Sequence, residues 1–180
     1  HVALSEYAFN IAPKLQQEKQ AERVLKKGFK ETNSARFLLD IVNFYLVQEK
    51  PELALQNLQK LSPFIKSREE SAEFMNMLHM KTATNKQEII EYYYKLGIVH
   101  IELDNFAKAE ESFNKALQLA PKNPYILNYL GYSYLEENIN INKAFNMLKI
   151  AVHQMPNSGA ILDSYGWALY KMGKYEDALL

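Results

Sequence analysis

The sequence predicts an all-α fold of stacked antiparallel helix pairs, and three observations predict it. A pattern recurs every 34 to 35 residues in the second half: Tyr93-x2-Leu96-Gly97-x2-His100, then Leu127-x2-Leu130-Gly131-x2-Tyr134, then Leu162-x2-Tyr165-Gly166-x2-Leu169. Each pass leads into a small-residue signal, Ala109-x3-Phe113, Ala144-x3-Leu148 and finally Ala178. Pro121 and Pro156 keep the same interval. A fixed period of this length is the mark of supersecondary units that bury their apolar faces against their neighbours.

The local chemistry supports the pattern. Asn123-Pro124 suits a helix start, the Asn as cap and the Pro at the first helical position. Leu127, Leu130, Gly131 and Tyr134 then fall at i, i+3, i+4 and i+7, one helical stripe. Glycine inside a helix costs about 1 kcal/mol relative to alanine, so Gly97, Gly131 and Gly166 at one phase need a packing reason. Close approach of the partner helix, with Ala109 and Ala144 small in turn, supplies it. Pro121 and Pro156 end a unit and turn the chain.

These residues resemble the tetratricopeptide repeat. The resemblance is close over 90–123 and 124–158 and covers most of a truncated unit at 159–180. It implies a right-handed superhelical solenoid whose first helices line a concave face that binds protein segments. Two departures stand out: His100 occupies an aromatic position, and 124–158 carries one extra residue within Glu136–Asn142. The stretches around Tyr132 and Trp167 are similar to repeats of bacterial envelope adaptors. That implies a bacterial setting, periplasmic or cytoplasmic with the periplasm slightly favoured.

Taken in order, residues 1–66 read as two degenerate helix pairs. Helices are expected over 2–12 and 14–31, parted by Pro13, with Ala21 and Leu25 echoing the second-helix signal. A clearer pair spans 35–48 and 51–62. Phe37, Leu38, Ile41, Val42 and Tyr45 form its inner stripe, and Ala54 with Leu58 repeats the spacing. Residues 67–89 form an irregular helical connection. Ser67-x2-Glu70 and Asn85-x2-Glu88 are capping-box candidates, predicting helices over 68–80 and 86–103. The cluster Met75-x-Met77-x2-Met80 reads as filler of an irregular joint before it reads as an adaptable binding surface. The last helix starts near Tyr175 and runs to Leu180; a repeat array needs a capped end, so the natural chain is expected to continue, and the start at His1 points to a fragment.

Composition narrows the function. Hydrophobic residues make up 48%, too many for disorder, and no apolar run approaches the roughly 20 residues that span a bilayer. Lys plus Arg and Asp plus Glu balance at 21 each, with three arginines, which argues against a nucleic-acid partner. Cysteine is absent, removing disulfides, thiolate metal sites and cysteine nucleophiles. No phosphate-cradling glycine loop is present. His1, His79, His100 and His153 lack metal-ligand spacing, and His100 reads as a core or groove residue. The adjacent carboxylates Glu69-Glu70, Glu110-Glu111 and Glu136-Glu137 point in different directions on a helix. Ser133 and Ser164 lack nucleophile-elbow glycines. No catalytic site, cofactor or metal is expected.

What remains is the stripe beside the packing stripe on each first helix: Glu91, Tyr94, Ile98 and Glu102; Tyr125, Asn128, Tyr132 and Glu136; Ala160, Asp163, Trp167 and Lys171. Its aromatics suit a protein-binding groove. The plainer reading, that Tyr132 and Trp167 only pack between successive first helices, weighs about equally. The expected groove is Glu91, Tyr94, Ile98, Tyr125, Asn128, Tyr132, Asp163 and Trp167, receiving a protein or peptide segment, with a non-catalytic scaffold or adaptor as the function. Two other readings stand beside it: the targeting domain of a larger enzyme, and an RNA-binding helical repeat.

Overall fold

The computed structural model describes residues 18–77 and 86–178, all α-helices and connections. The expected helix over 2–12, the turn at 81–85, His79 and the methionine cluster's side chains lie outside the described residues. The helices are α1 (Glu18–Thr32), α2 (Ala35–Val47), α3 (Pro51–Met77), α4 (Lys86–Glu102), α5 (Phe106–Leu119), α6 (Pro124–Glu136), α7 (Ile141–Gln154), α8 (Gly159–Lys171) and α9 (Tyr175–Ala178). They fall into two compact units that part between Leu103 and Asp104.

In the first unit α2 is central, packed by α1, α3 and α4. This explains why its burial exceeds the one expected stripe: Ala35, Leu39, Asp40 and Phe44 are buried along with Phe37, Leu38, Ile41, Val42 and Tyr45. Ala21 and Leu25 of α1 are fully buried, as their spacing predicts. The sequence expects a break after 62 and a new helix from 68, whereas α3 continues without interruption to Met77. The reason is its apolar stripe. Ala54, Leu58, Leu61 and Ile65 recur at i, i+4, i+7 and i+11, all buried, and carry the helix past Pro63 despite the lost backbone donor. Ser67 opens no helix; its carbonyl accepts from the Ser71 hydroxyl at 2.7 Å, inside α3.

The second unit follows the repeat closely. Asn123 Oδ1 accepts from the backbone N–H of Tyr125 (3.1 Å) and Ile126 (3.2 Å), with Pro124 opening α6. Leu127, Leu130, Gly131 and Tyr134 are all buried. A Cβ on Gly131 would lie 3.0 Å from Leu148 Cγ and 3.4 Å from the Ala144 carbonyl oxygen, so a side chain here would press on α7. Gly166 is less crowded, with the Ala178 oxygen at 3.6 Å. The extra residue of 124–158 lies in the α6–α7 connection, 137–140, four residues against three at 172–174. Asn138 and Asn140 take left-handed φ of 56° and 51° there, a conformation asparagine tolerates better than most residues.

Tyr134 ties three helices together. Its buried hydroxyl donates to Glu110 of α5 and accepts from Lys143 Nζ of α7 at 2.7 Å. Burial and the Glu110 carboxylate both push this phenol well above its ordinary pKa.

Candidate partner-binding strip

Two of the expected groove residues, Tyr132 and Trp167, meet at one carboxylate. Tyr132 and Glu136 stand at i, i+4 on α6, and Trp167 stands on α8, which packs against α6. The Trp167 indole N–H donates to Glu136 Oε1 at 3.1 Å. Tyr132 also hydrogen-bonds Glu136; partial burial and then the Glu136 charge hold its phenol above the ordinary range. One turn on, Lys171 Nζ donates to Asn138 Oδ1 at 3.3 Å and lies 5.1 Å from the Trp167 ring centroid.

The strip faces solvent. Tyr132 keeps 43% of its surface, Trp167 36% and Tyr125 52%, and Asp163 is exposed. Asn128 is half-buried, and its Oδ1 is buried without a hydrogen-bond partner among the described residues. Packing between first helices and exposure thus coexist: Trp167 is anchored through its N–H while much of its ring stays open.

The structure adds residues that the stripe alone did not flag. Tyr170 stacks on Trp167, ring centroids 5.2 Å apart and 5° from parallel, and Tyr175 packs on Tyr170 at 5.3 Å. Trp167, Tyr170 and Tyr175, with Leu162, Asp163, Gly166 and Ala178, line a shallow depression of about 690 Å³. The signal was present as an i, i+3 aromatic pair on α8, just off the chosen phase.

Glu91, Tyr94 and Ile98 belong to the first unit, on α4, and are half-buried. Glu91 accepts from Arg36 at 2.7 Å and pairs with Lys95 at 3.4 Å, so its charge is committed within the fold. Lys95 is itself buried and donates to Asn43 of α2. Burial lowers its pKa, opposed by the Glu91 carboxylate. His100 is buried, as its repeat position predicts. Among the described residues no group of three or more His, Cys, Asp or Glu is placed to hold a metal, and no helix is long and apolar enough to cross a membrane.

Paired helices on a period of 34 to 35 residues, with small residues at the close contacts, define a helical-repeat solenoid. Residues 90–123 match the family described as the tetratricopeptide repeat. The chain thus carries a tetratricopeptide repeat at these residues and shares the fold of such repeat arrays. It is 26% identical to the human protein O-mannosyl-transferase TMTC1 over 181 residues, covering 91% of this chain and 20% of that protein. It is 29% identical over 91 residues to a TPR repeat-containing protein of Pseudomonas aeruginosa, covering 51% of this chain and 15% of that one. The chain therefore spans about a fifth or less of these relatives. Among solved structures, MamA aligns with a TM-score of 0.65 at 20% identity, over 93% of this chain and 86% of MamA. The crystal structure of the APC/C hetero-tetramer Cut9–Hcn1 aligns with a TM-score of 0.73 at 16% identity, over 99% of this chain and 30% of the matched chain. These likenesses are of fold.

Proposed function

We propose that this chain is a non-catalytic protein-interaction scaffold that holds a segment of a partner protein along the strip formed by α6 and α8. The supporting observation is the run of exposed aromatics, Tyr125, Tyr132 and Trp167, in phase on two neighbouring helices and anchored at Glu136. Tyr and Trp bury large areas at small cost in side-chain entropy, so a few of them dominate the affinity of a protein interface. The strip lies within the second unit and does not depend on Glu91, Tyr94 or Ile98.

The test is affinity capture of partner proteins on wild type, on Tyr132→Ala and on Lys149→Ala, Lys149 being an exposed residue of α7. Loss of a partner with Tyr132→Ala alone supports the strip. Loss with Lys149→Ala while Tyr132→Ala binds normally moves the working surface to α7 and overturns the assignment.

A second reading has its own support. Similarity to an O-mannosyl-transferase runs along 91% of this chain while covering 20% of that protein. In this reading the repeats are the protein-binding part of a larger enzyme, and catalysis resides in another segment. An open reading frame that joins these residues to a catalytic segment supports it, and one without such a segment removes it. RNA binding has no comparable support; titration with RNA at low salt, where phosphate contacts are strongest, is expected to show none.

A further inference from the structure

We propose that the α6–α8 strip selects a cationic partner segment, one that carries Arg or Lys beside its apolar residues; this rests on the strip being the binding surface. Three of the strip's donors are engaged internally. The Trp167 N–H goes to Glu136, the Lys171 ammonium to Asn138, and the Tyr132 hydroxyl to Glu136. Its acceptors are open. Asp163 is exposed, one turn before Trp167 on α8, and forms no ion pair among the described residues. Glu136 receives two neutral donors and forms no ion pair among the described residues.

The charge balance points the same way. Along α6 and α8 the strip carries Glu136 and Asp163 against Lys171 alone. Lys143 and Lys174 lie off these two helices, over the rings of Tyr134 (4.7 Å) and Phe145 (5.1 Å). Lys171 already illustrates the chemistry, an ammonium over the Trp167 ring. The Tyr132 ring has no cation over it among the described residues, and its attached hydroxyl is bonded to a carboxylate, which makes that face attractive to a positive charge. A guanidinium or ammonium laid across the two helices would have the Tyr132 ring on α6 and the exposed Asp163 carboxylate on α8 to meet. An acidic segment would meet the like charges of Glu136 and Asp163.

The experiment uses three fluorescently labelled peptides, equal in length and apolar content, with Arg and Lys, Gln, or Glu at the same positions. Each is titrated by fluorescence anisotropy into the wild type, Asp163→Asn, Tyr132→Ala and Trp167→Phe, with circular dichroism checking each fold. The cationic peptide is expected to bind tightest. Asp163→Asn, a surface change, should weaken it by about three- to tenfold, and raising the salt should narrow that difference. If the neutral or acidic peptide binds as well, and Tyr132→Ala abolishes it while Asp163→Asn does not, the strip stands and cation selection is overturned. If the cationic peptide binds regardless of Tyr132→Ala and Trp167→Phe, the surface itself is wrong. Failure of all three peptides to bind removes both proposals.

Discussion

The indole N–H of Trp167 on α8 is hydrogen-bonded to the Glu136 carboxylate on α6 at 3.1 Å, and Tyr132 shares that carboxylate. One acid near the end of a helix thus orients the two aromatics on which the proposed strip depends. Trp167 is the chain's single tryptophan, so indole emission reports this site alone. Glu136→Ala is expected to shift that emission to longer wavelength and weaken the near-ultraviolet dichroism of the indole. Stability should change by less than about 1 kcal/mol, because the contact is solvent-exposed. An unchanged spectrum would mean that Tyr170 stacking, and not Glu136, holds the ring.

Gly131 and Gly166 share a repeat position but differ in surroundings, and substitution should separate them. At Gly131 a Cβ meets Leu148 Cγ at 3.0 Å, so Gly131→Leu overpacks the α6–α7 contact and should destabilise by about 1–3 kcal/mol. At Gly166 the nearest atom is 3.6 Å away, ordinary contact distance. Gly166→Ala should therefore gain about 0.5–1 kcal/mol from the removed backbone entropy. Urea denaturation of both variants checks the contrast; equal effects would show that repeat position outweighs local packing.

The same two glycines show how far the sequence could be read. Period and phase were legible because every repeat must solve the same packing problem, and Gly131 lies against the residues its spacing named. The asymmetry between Gly131 and Gly166 was not, since it depends on what lies opposite each. Gly28 makes the point again: outside the repeat pattern, it has the Phe37 ring 2.5 Å from where its Cβ would be. The helix end expected at 62, just before Pro63, failed for a related reason. The proline's breaking tendency is local, whereas the stripe Ala54, Leu58, Leu61 and Ile65 that overrides it is tertiary. At the strip, phase selected exposed residues, yet the convergence of Tyr132 and Trp167 on Glu136 needed the relative placement of α6 and α8. Commitment of Glu91 to Arg36 and Lys95 needed the placement of α2 against α4.

Helix starts in the second unit offer a test of capping. Asn123 accepts two backbone N–H groups, whereas Ser158 at the start of α8 makes no side-chain cap. Asn123→Ala should cost about 1 kcal/mol, and Ser158→Ala a few tenths at most. Thermal melts of the two variants decide it. A large loss at Ser158 would reveal a cap formed in solution.

The buried charges between α2 and α4 give a pH-dependent prediction. Lys95 faces Glu91 on its own helix and Arg36, Asp40 and Asn43 on α2. Burial lowers its pKa below the reference 10.5, so between the lowered value and 10.5 the unfolded chain binds this proton more firmly than the folded one. Folding pays a cost for charged Lys95 at neutral pH, and that cost is relieved as pH rises through the window. Glu91→Gln removes the Coulomb attraction and hydrogen bond that oppose burial, so the lysine pKa falls further and the window opens earlier. At pH 7 the variant should be less stable than wild type by about 1–3 kcal/mol. The deficit should shrink toward pH 10, since both proteins then bury a lysine closer to neutrality. Comparing the two at each pH cancels the tyrosine titrations they share. Lysine-selective NMR should show Lys95 titrating below the other lysines, and lower still in Glu91→Gln. A deficit that stays constant from pH 7 to 10 would mean that the lost Arg36–Glu91 hydrogen bond, and not the stranded lysine, accounts for the instability.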